Sequence, residues 1–210
     1  MADDLATPTL IFDGPKNAAR TIVLVHGAGA GMDTPFMEAF AMGLADRGFR
    51  VARFEFAYMA SFRQTGKKRA PDRAPALRAA WLRVIAELGA AGLVIGGKSM
   101  GGRIASLVAD EAGVTGLVCL GYPFHPVGKP KQLRVEHLRT LRTSTLILQG
   151  TRDPFGSREE VAGYELSSKI KLHWLEDGDH DFTPRRKSGR TEAQNWADAV
   201  EAIAVFISQH

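Results

Sequence analysis

Short runs rich in β-branched residues alternate with amphipathic helical stretches almost from end to end of this chain. That alternation limits the fold more than any other feature. TIVLVHG (Thr21 to Gly27) is a continuous apolar run closed by glycine, the pattern of a strand buried on both faces of a parallel sheet. Beyond it Thr34 offers a helix cap, Pro35 suits the first helical position, and Phe36, Phe40 and Leu44 share one face. Gly48 closes that helix, and RVARFEF supplies the next strand. Leu77, Trp81, Val84, Ile85 and Leu88 form a second apolar stripe.

The strand LVIGG, a helix from about Ser99, the strand GLVCLGY and a short helix near Leu133 to Leu141 follow. TLILQG, a helical segment from Arg158 to Leu166 and the last strand IKLHWLE come next. Thr191 and Gln194 make a capping box for a final helix that buries Trp196, Val200, Ile203 and Ile207. TLIFDG adds an antiparallel edge strand near the start. The expectation is an α/β fold with a mostly parallel central sheet and helices on both faces. With 210 residues and no linker or repeat, residues 1–210 read as a single domain. The longest irregular piece is AYMASFRQTGKKRAPDRAP, at the C-terminal end of a strand, where open α/β sheets place their sites.

Several function classes are set aside by composition. MADDLATPTL lacks the basic start and apolar run of a secretory signal, and no apolar segment is long enough to cross a bilayer. Cys119 is the single cysteine, which excludes an intrachain disulfide and suits a reducing compartment, so a cytoplasmic location is expected. The net charge of +4 is concentrated in RQTGKKR, GKPKQLR and PRRKSGR. Aromatic residues are few and no nucleic-acid motif is present, so neither nucleic acid nor membrane is expected as a partner.

GLVIGGKSMGG, from Gly92 to Gly102, fits two patterns that exclude each other. From Gly92 to Ser99 it reads G-x-x-x-x-G-K-S, a phosphate loop; from Gly97 to Gly101 it reads G-x-S-x-G, a turn that presents a serine nucleophile. In a phosphate loop the four residues after the first glycine curl their N–H groups around the anion. Here those residues include Leu93, Val94 and Ile95, which belong to the strand and cannot do both. The serine turn fits: a strand enters at Leu93, turns at Ser99 and leaves as a helix. Side chains two positions either side of the serine would collide with neighbouring backbone, hence Gly97 and Gly101.

The partners of such a serine follow in the order acid, then histidine. Asp153 lies just past TLILQG and His180 just past IKLHWLE, both at C-terminal strand ends. His180 would take the Ser99 proton and Asp153 would fix the imidazole. His125 is a rim or structural histidine by position and a weaker candidate for the base. Asp177, Asp179 and Asp181 surround His180 but lack a second ligand group, so they read as a tight turn, with no metal or cofactor expected. For the oxyanion, the N–H of Met100 and that of Ala28 in HGAGAG are the favoured donors, with Gly29 next. Gly29, Lys98 and His125 are the candidate substrate contacts. His26 reads as a brace for its loop.

VLVHGAGAG, GGKSMGG, LQGTRDPFG and GDHDF, in this order, resemble the α/β-hydrolase superfamily over nearly the whole chain. The similarity is greatest to small lid-less members such as dienelactone hydrolases and related hydrolases. It implies Ser99 as nucleophile, Asp153 as acid, His180 as base, and Ala28 and Met100 as oxyanion donors. The expected function is therefore a serine hydrolase of small carboxylic esters or thioesters, acting through an acyl-enzyme. The basic stretches and Lys98 point to anionic substrates. YPFHPVGKP and DFTPRRKSGR resemble a sparsely characterised branch with relatives linked to chromatin-modifying complexes. A protein partner, and a non-catalytic binding or scaffold role on the same fold, is the alternative.

Overall fold

In the computed structural model, which describes residues 7–210, the apolar runs form seven strands. They are β1 (Ile11–Asp13), β2 (Thr21–Val25), β3 (Arg50–Phe54), β4 (Leu93–Lys98), β5 (Gly116–Leu120), β6 (Thr145–Gly150) and β7 (Ile170–Leu175). One sheet holds them in the order β1-β3-β2-β4-β5-β6-β7. β1 runs antiparallel on β3 at the edge, and every other pair is parallel. The helices are α1 (Pro35–Ala45), α2 (Ala57–Thr65), α3 (Ala74–Leu88), α4 (Met100–Ser106), α5 (Ala109–Ala112), α6 (Arg158–Val161) and α7 (Glu192–Ser208).

Alternate residues of each strand face opposite layers, and both layers are apolar. Ile22 and Leu24 of β2 pack with Phe40 and Leu44 of α1 and with Val200, Ile203 and Ile207 of α7. Val23 and Val25 of the same strand pack with Trp81, Val84 and Ile85 of α3 and Ile104 of α4. Removing each large side chain of this kind from water contributes about 1.5–3 kcal/mol. The caps fall where the side chains permit them: Thr34 accepts from the Met37 N–H, and Thr191 forms the reciprocal box with Gln194.

Four elements differ from the sequence reading. The stretch after Phe56 is not irregular throughout, because Ala57–Thr65 is helical. Its N-cap, Phe56, offers no side-chain acceptor and only Tyr58 and Met59 are buried, so neither cap nor stripe announces α2. α6 stops at Val161 instead of continuing to Leu166, and the expected helix near Leu133 to Leu141 is a 3-10 turn, Glu136–Arg139. The helix after Ser99 is broken at Leu107 and Val108 into α4 and α5. Among the described residues no helix is long and apolar enough to cross a membrane.

Parallel register brings the C-terminal strand ends to one edge. Val25 pairs with Gly97, Lys98 with Leu120, and Gly150 with Leu175. The segments that leave this edge carry Ala28, Ser99, Asp153 and His180.

Candidate active site

Ser99 sits between β4 and α4 with φ 50° and ψ −115°, a conformation that non-glycine residues adopt rarely and at a cost. The packing around it explains the flanking glycines. A Cβ at Gly97 would lie 2.3 Å from the Val25 carbonyl oxygen, and one at Gly101 would lie 2.5 Å from that of His26. β4 already occupies Leu93–Lys98, so no residues remain to form a phosphate cradle.

Asp153 is fully buried, and its carboxylate accepts three N–H groups. Oδ2 takes Nδ1 of His180 at 2.7 Å and Nε2 of Gln149 at 3.0 Å, while Oδ1 takes the Phe155 N–H at 2.8 Å. A carboxylate can only accept, so Nδ1 of His180 carries the proton and Nε2 presents a lone pair. The Phe155 ring lies against the imidazole with centroids 4.4 Å apart. Ser99 and His180 line one cavity of about 560 Å3. Among the described residues no hydrogen bond joins their side chains, and catalytic contacts of this kind tighten when substrate binds.

The loop of Gly27 to Gly31 forms the opposite wall. Among the described residues neither the Ala28 N–H nor the Met100 N–H is taken by an acceptor. Two side chains hold this loop from behind. The Tyr58 hydroxyl lies 3.1 Å from the Gly27 carbonyl and 3.0 Å from that of Ala28, so these carbonyls point toward it. His26 is fully buried; its Nε2 accepts the Phe56 N–H at 3.1 Å, and Nδ1 donates to the Gly27 carbonyl at 2.6 Å. Burial lowers its pKa, consistent with a neutral ring.

The histidine loop is held as firmly. Asp179 Oδ1 accepts the N–H groups of Asp181 and Thr183, so the acidic cluster closes a turn. Asn195 of α7 donates to the Glu176 and Phe182 carbonyls, and Trp196 donates to that of Asp181 at 2.9 Å. Phe182 is fully buried at φ +67°. Among the described residues no cluster of three metal-ligating side chains is assembled.

The proposed substrate contacts fare differently. Gly29 and Lys98 line the cavity. The Lys98 ammonium, however, donates to the His180 carbonyl and pairs with Asp181 Oδ1 at 3.2 Å. Burial lowers the Lys98 pKa, opposed by the neighbouring carboxylates of Asp181, Asp153 and Asp179. His125 does not line the cavity. It is buried, with Nδ1 on the Pro126 carbonyl and Nε2 3.4 Å from Glu160, because the chain after β5 turns down against the Phe155 segment. Tyr58, Gln149 and Phe155 were not singled out in the sequence. Tyr58 acts on carbonyls 30 and 31 residues away and Phe155 through its ring against His180, while Gln149 holds Asp153 from four residues upstream but is itself fixed by Tyr122, 27 residues away.

A second serine–histidine pair lies elsewhere: Ser106 Oγ and His137 Nε2 are 2.8 Å apart. Ser106 donates to the Arg103 carbonyl at 2.7 Å, which leaves Nε2 as the donor to the hydroxyl. Burial pushes His137 down to about 4, and among the described residues no carboxylate pairs with it. The pair is arranged to hold Ser106 in place, the reverse of what a base requires.

The sequence matches the alpha/beta hydrolase domain family over residues 18–208. Its fold is similar to that of a lid-less α/β serine hydrolase from Xanthomonas campestris, with TM-score 0.67 and 16% identity, over 95% of this chain and 88% of that one. Est1E from Butyrivibrio proteoclasticus superposes with TM-score 0.70 at 14% identity, over 96% and 94% of the two chains. A dienelactone hydrolase from Anabaena variabilis gives 0.68 at 19%, over 91% and 88%. The chain belongs to the α/β-hydrolase family and has the fold of its lid-less members.

Proposed function

We propose that this protein is a serine hydrolase of small carboxylic esters or thioesters, with Ser99 as nucleophile, His180 as base and Asp153 as the group that orients it. One observation carries the reading: buried Asp153 holds His180 with its lone-pair nitrogen free, in the cavity that also contains Ser99. In this scheme Ser99 Oγ attacks the acyl carbon while His180 takes its proton. The N–H groups of Ala28 and Met100 receive the oxyanion. Collapse expels an alcohol or thiol, to which His180 returns the proton, and water then attacks the acyl-enzyme by the same route.

The walls favour an apolar acyl or leaving group, since Phe36, Met37, Phe155 and Trp196 face the cavity. Its charges are Lys98 against Asp181 and Glu192, one cation to two acids. Arg63 and Arg69 line a separate cavity beside α2 and α3, bound to Glu55, Asp33 and Asp72. Arg185 is bound to Asp177. These three arginines are matched by carboxylates and the cavity itself carries more acid than base, so uncharged esters are the better-matched class. A fluorophosphonate probe should label Ser99 in the wild type and not in Ser99→Ala. Failure to label, together with no hydrolysis across a panel of short esters and thioesters, overturns the reading. Carboxylated esters should be turned over no faster than neutral ones, at low or high salt.

A further inference from the structure

We infer that Lys98 is a positioning residue that locks the loop of the general base onto the strand that delivers the nucleophile. The inference rests on the assignment of Ser99 and His180 just made, and gives Lys98 a role other than contact with substrate. Lys98 is the last residue of β4, directly before Ser99, and its side chain is 10% exposed. The ammonium donates to the backbone carbonyl of His180 and pairs with the Asp181 carboxylate. The rings of Phe36 and Phe182 lie 5.2 Å and 5.8 Å from it. A desolvated ammonium demands such partners, and both polar ones belong to the histidine loop. The four-carbon stem thus spans from the nucleophile's strand to the base's backbone.

The other ties on that loop do not replace this one. Trp196 and Asn195 hold the carbonyls of Asp181, Phe182 and Glu176, and Asp153 holds the ring. Lys98 alone among the described residues holds the His180 carbonyl. Its charge also bears on the imidazole. The His180 ring rests on the Asp153 carboxylate and its carbonyl on the Lys98 ammonium, and the carboxylates acting on that ammonium are Asp181, Asp153 and Asp179. Lys98→Met takes a cation from beside the base and Asp181→Asn takes an anion. Removing either partner leaves the other's field acting on the base.

The test is steady-state hydrolysis of a neutral activated ester by wild type, Lys98→Met and Asp181→Asn, with kcat/KM measured across pH. Methionine keeps the stem's apolar packing against Phe36 and Phe182. Lys98→Met should lower kcat by about a hundredfold, the cost of misplacing a reacting group. KM should stay within about threefold. The acidic limb should move up by about half a unit or more in Lys98→Met and down in Asp181→Asn. Asp181 is 65% exposed at its side chain, so that variant keeps the test alive if Lys98→Met fails to fold. A rise in KM alone would return Lys98 to substrate contact and overturn the inference. So would unmoved limbs, or limbs that move the same way. If wild type is active and labelled at Ser99 while both variants match it, only the role of Lys98 falls. If wild type neither reacts nor labels, the underlying assignment falls with it.

Discussion

Asp153→Asn changes the acceptor count at the centre of the site while leaving its shape almost untouched. The carboxylate receives His180 Nδ1 and Gln149 Nε2 on one oxygen and the Phe155 N–H on the other. An amide has one oxygen to offer. If that oxygen faces Phe155, the NH2 group faces His180 and the imidazole must turn a lone pair toward it. Nε2 then carries the proton, and Ser99 confronts a donor where it needs a base; a wrong tautomer of this kind lowers kcat by about 10⁴-fold. If the oxygen faces His180, the tautomer survives but the imidazolium meets a neutral amide. The lost charge assistance, about 1.5–3 kcal/mol, corresponds to a loss of about ten- to a hundredfold. In both orientations a buried N–H group meets another donor, which costs about 1–3 kcal/mol of stability. Gln149 has fallback acceptors in the Tyr122 and Gly156 carbonyls, which puts the first orientation at the lower end of that cost, whereas the Phe155 N–H faced in the second has none among the described residues. The assay is ester hydrolysis with a thermal melt on the same sample. A folded Asp153→Asn with kcat within about threefold of wild type would refute the assignment of base and orienting acid.

Three further outcomes rest on the same packing and charge. Ser106→Ala should lose about 1 kcal/mol in chemical denaturation and keep kcat and probe labelling, whereas Ser99→Ala should lose both; the reverse pattern would move the nucleophile to Ser106. Gly101→Ala places a Cβ 2.5 Å from a backbone oxygen and 2.7 Å from Val25 Cγ1, so α4 must shift. It should cost about 1–3 kcal/mol by circular-dichroism melting and reduce activity further by displacing Ser99, and an unchanged melt contradicts the packing argument. Arg185 holds the Asp177 carboxyl down to about 2 from its ordinary 3.8. An acid depressed in the folded state contributes stability that is full above the unfolded value and lost as pH falls through the folded one. The stability gap between wild type and Asp177→Asn should therefore persist near neutrality and close between about pH 4 and pH 2; a gap that ignores pH contradicts the assignment.

What could be read from the sequence, and what could not, divides along a physical line. The parallel strands were legible because strands buried on both faces need continuous apolar runs, and β2, β4, β5 and β6 have them; their order in the sheet was not. Ser99 was legible because its backbone conformation forbids side chains at Gly97 and Gly101, a demand met within five residues. α2 was hidden because Phe56 offers no cap and the helix buries a single pair. The basic stretches were legible only in part. Counting Arg63, Arg69 and Arg185 says nothing of Glu55, Asp33, Asp72 and Asp177, whose carboxylates consume their charge. The place of His125 after β5 suits either the rim or a structural role, and only the fold, which turns it inward to Glu160 and away from the cavity, separates the two. Lys98 is the sharpest case. Its charge beside the nucleophile was visible, but its acceptor on His180 is 82 residues away along the chain. Groups that perform the reaction impose local backbone requirements and so leave local signatures. Groups that hold them in place, such as Lys98 and Tyr58, need only be near in space. Their roles become readable only when the strand ends are brought together.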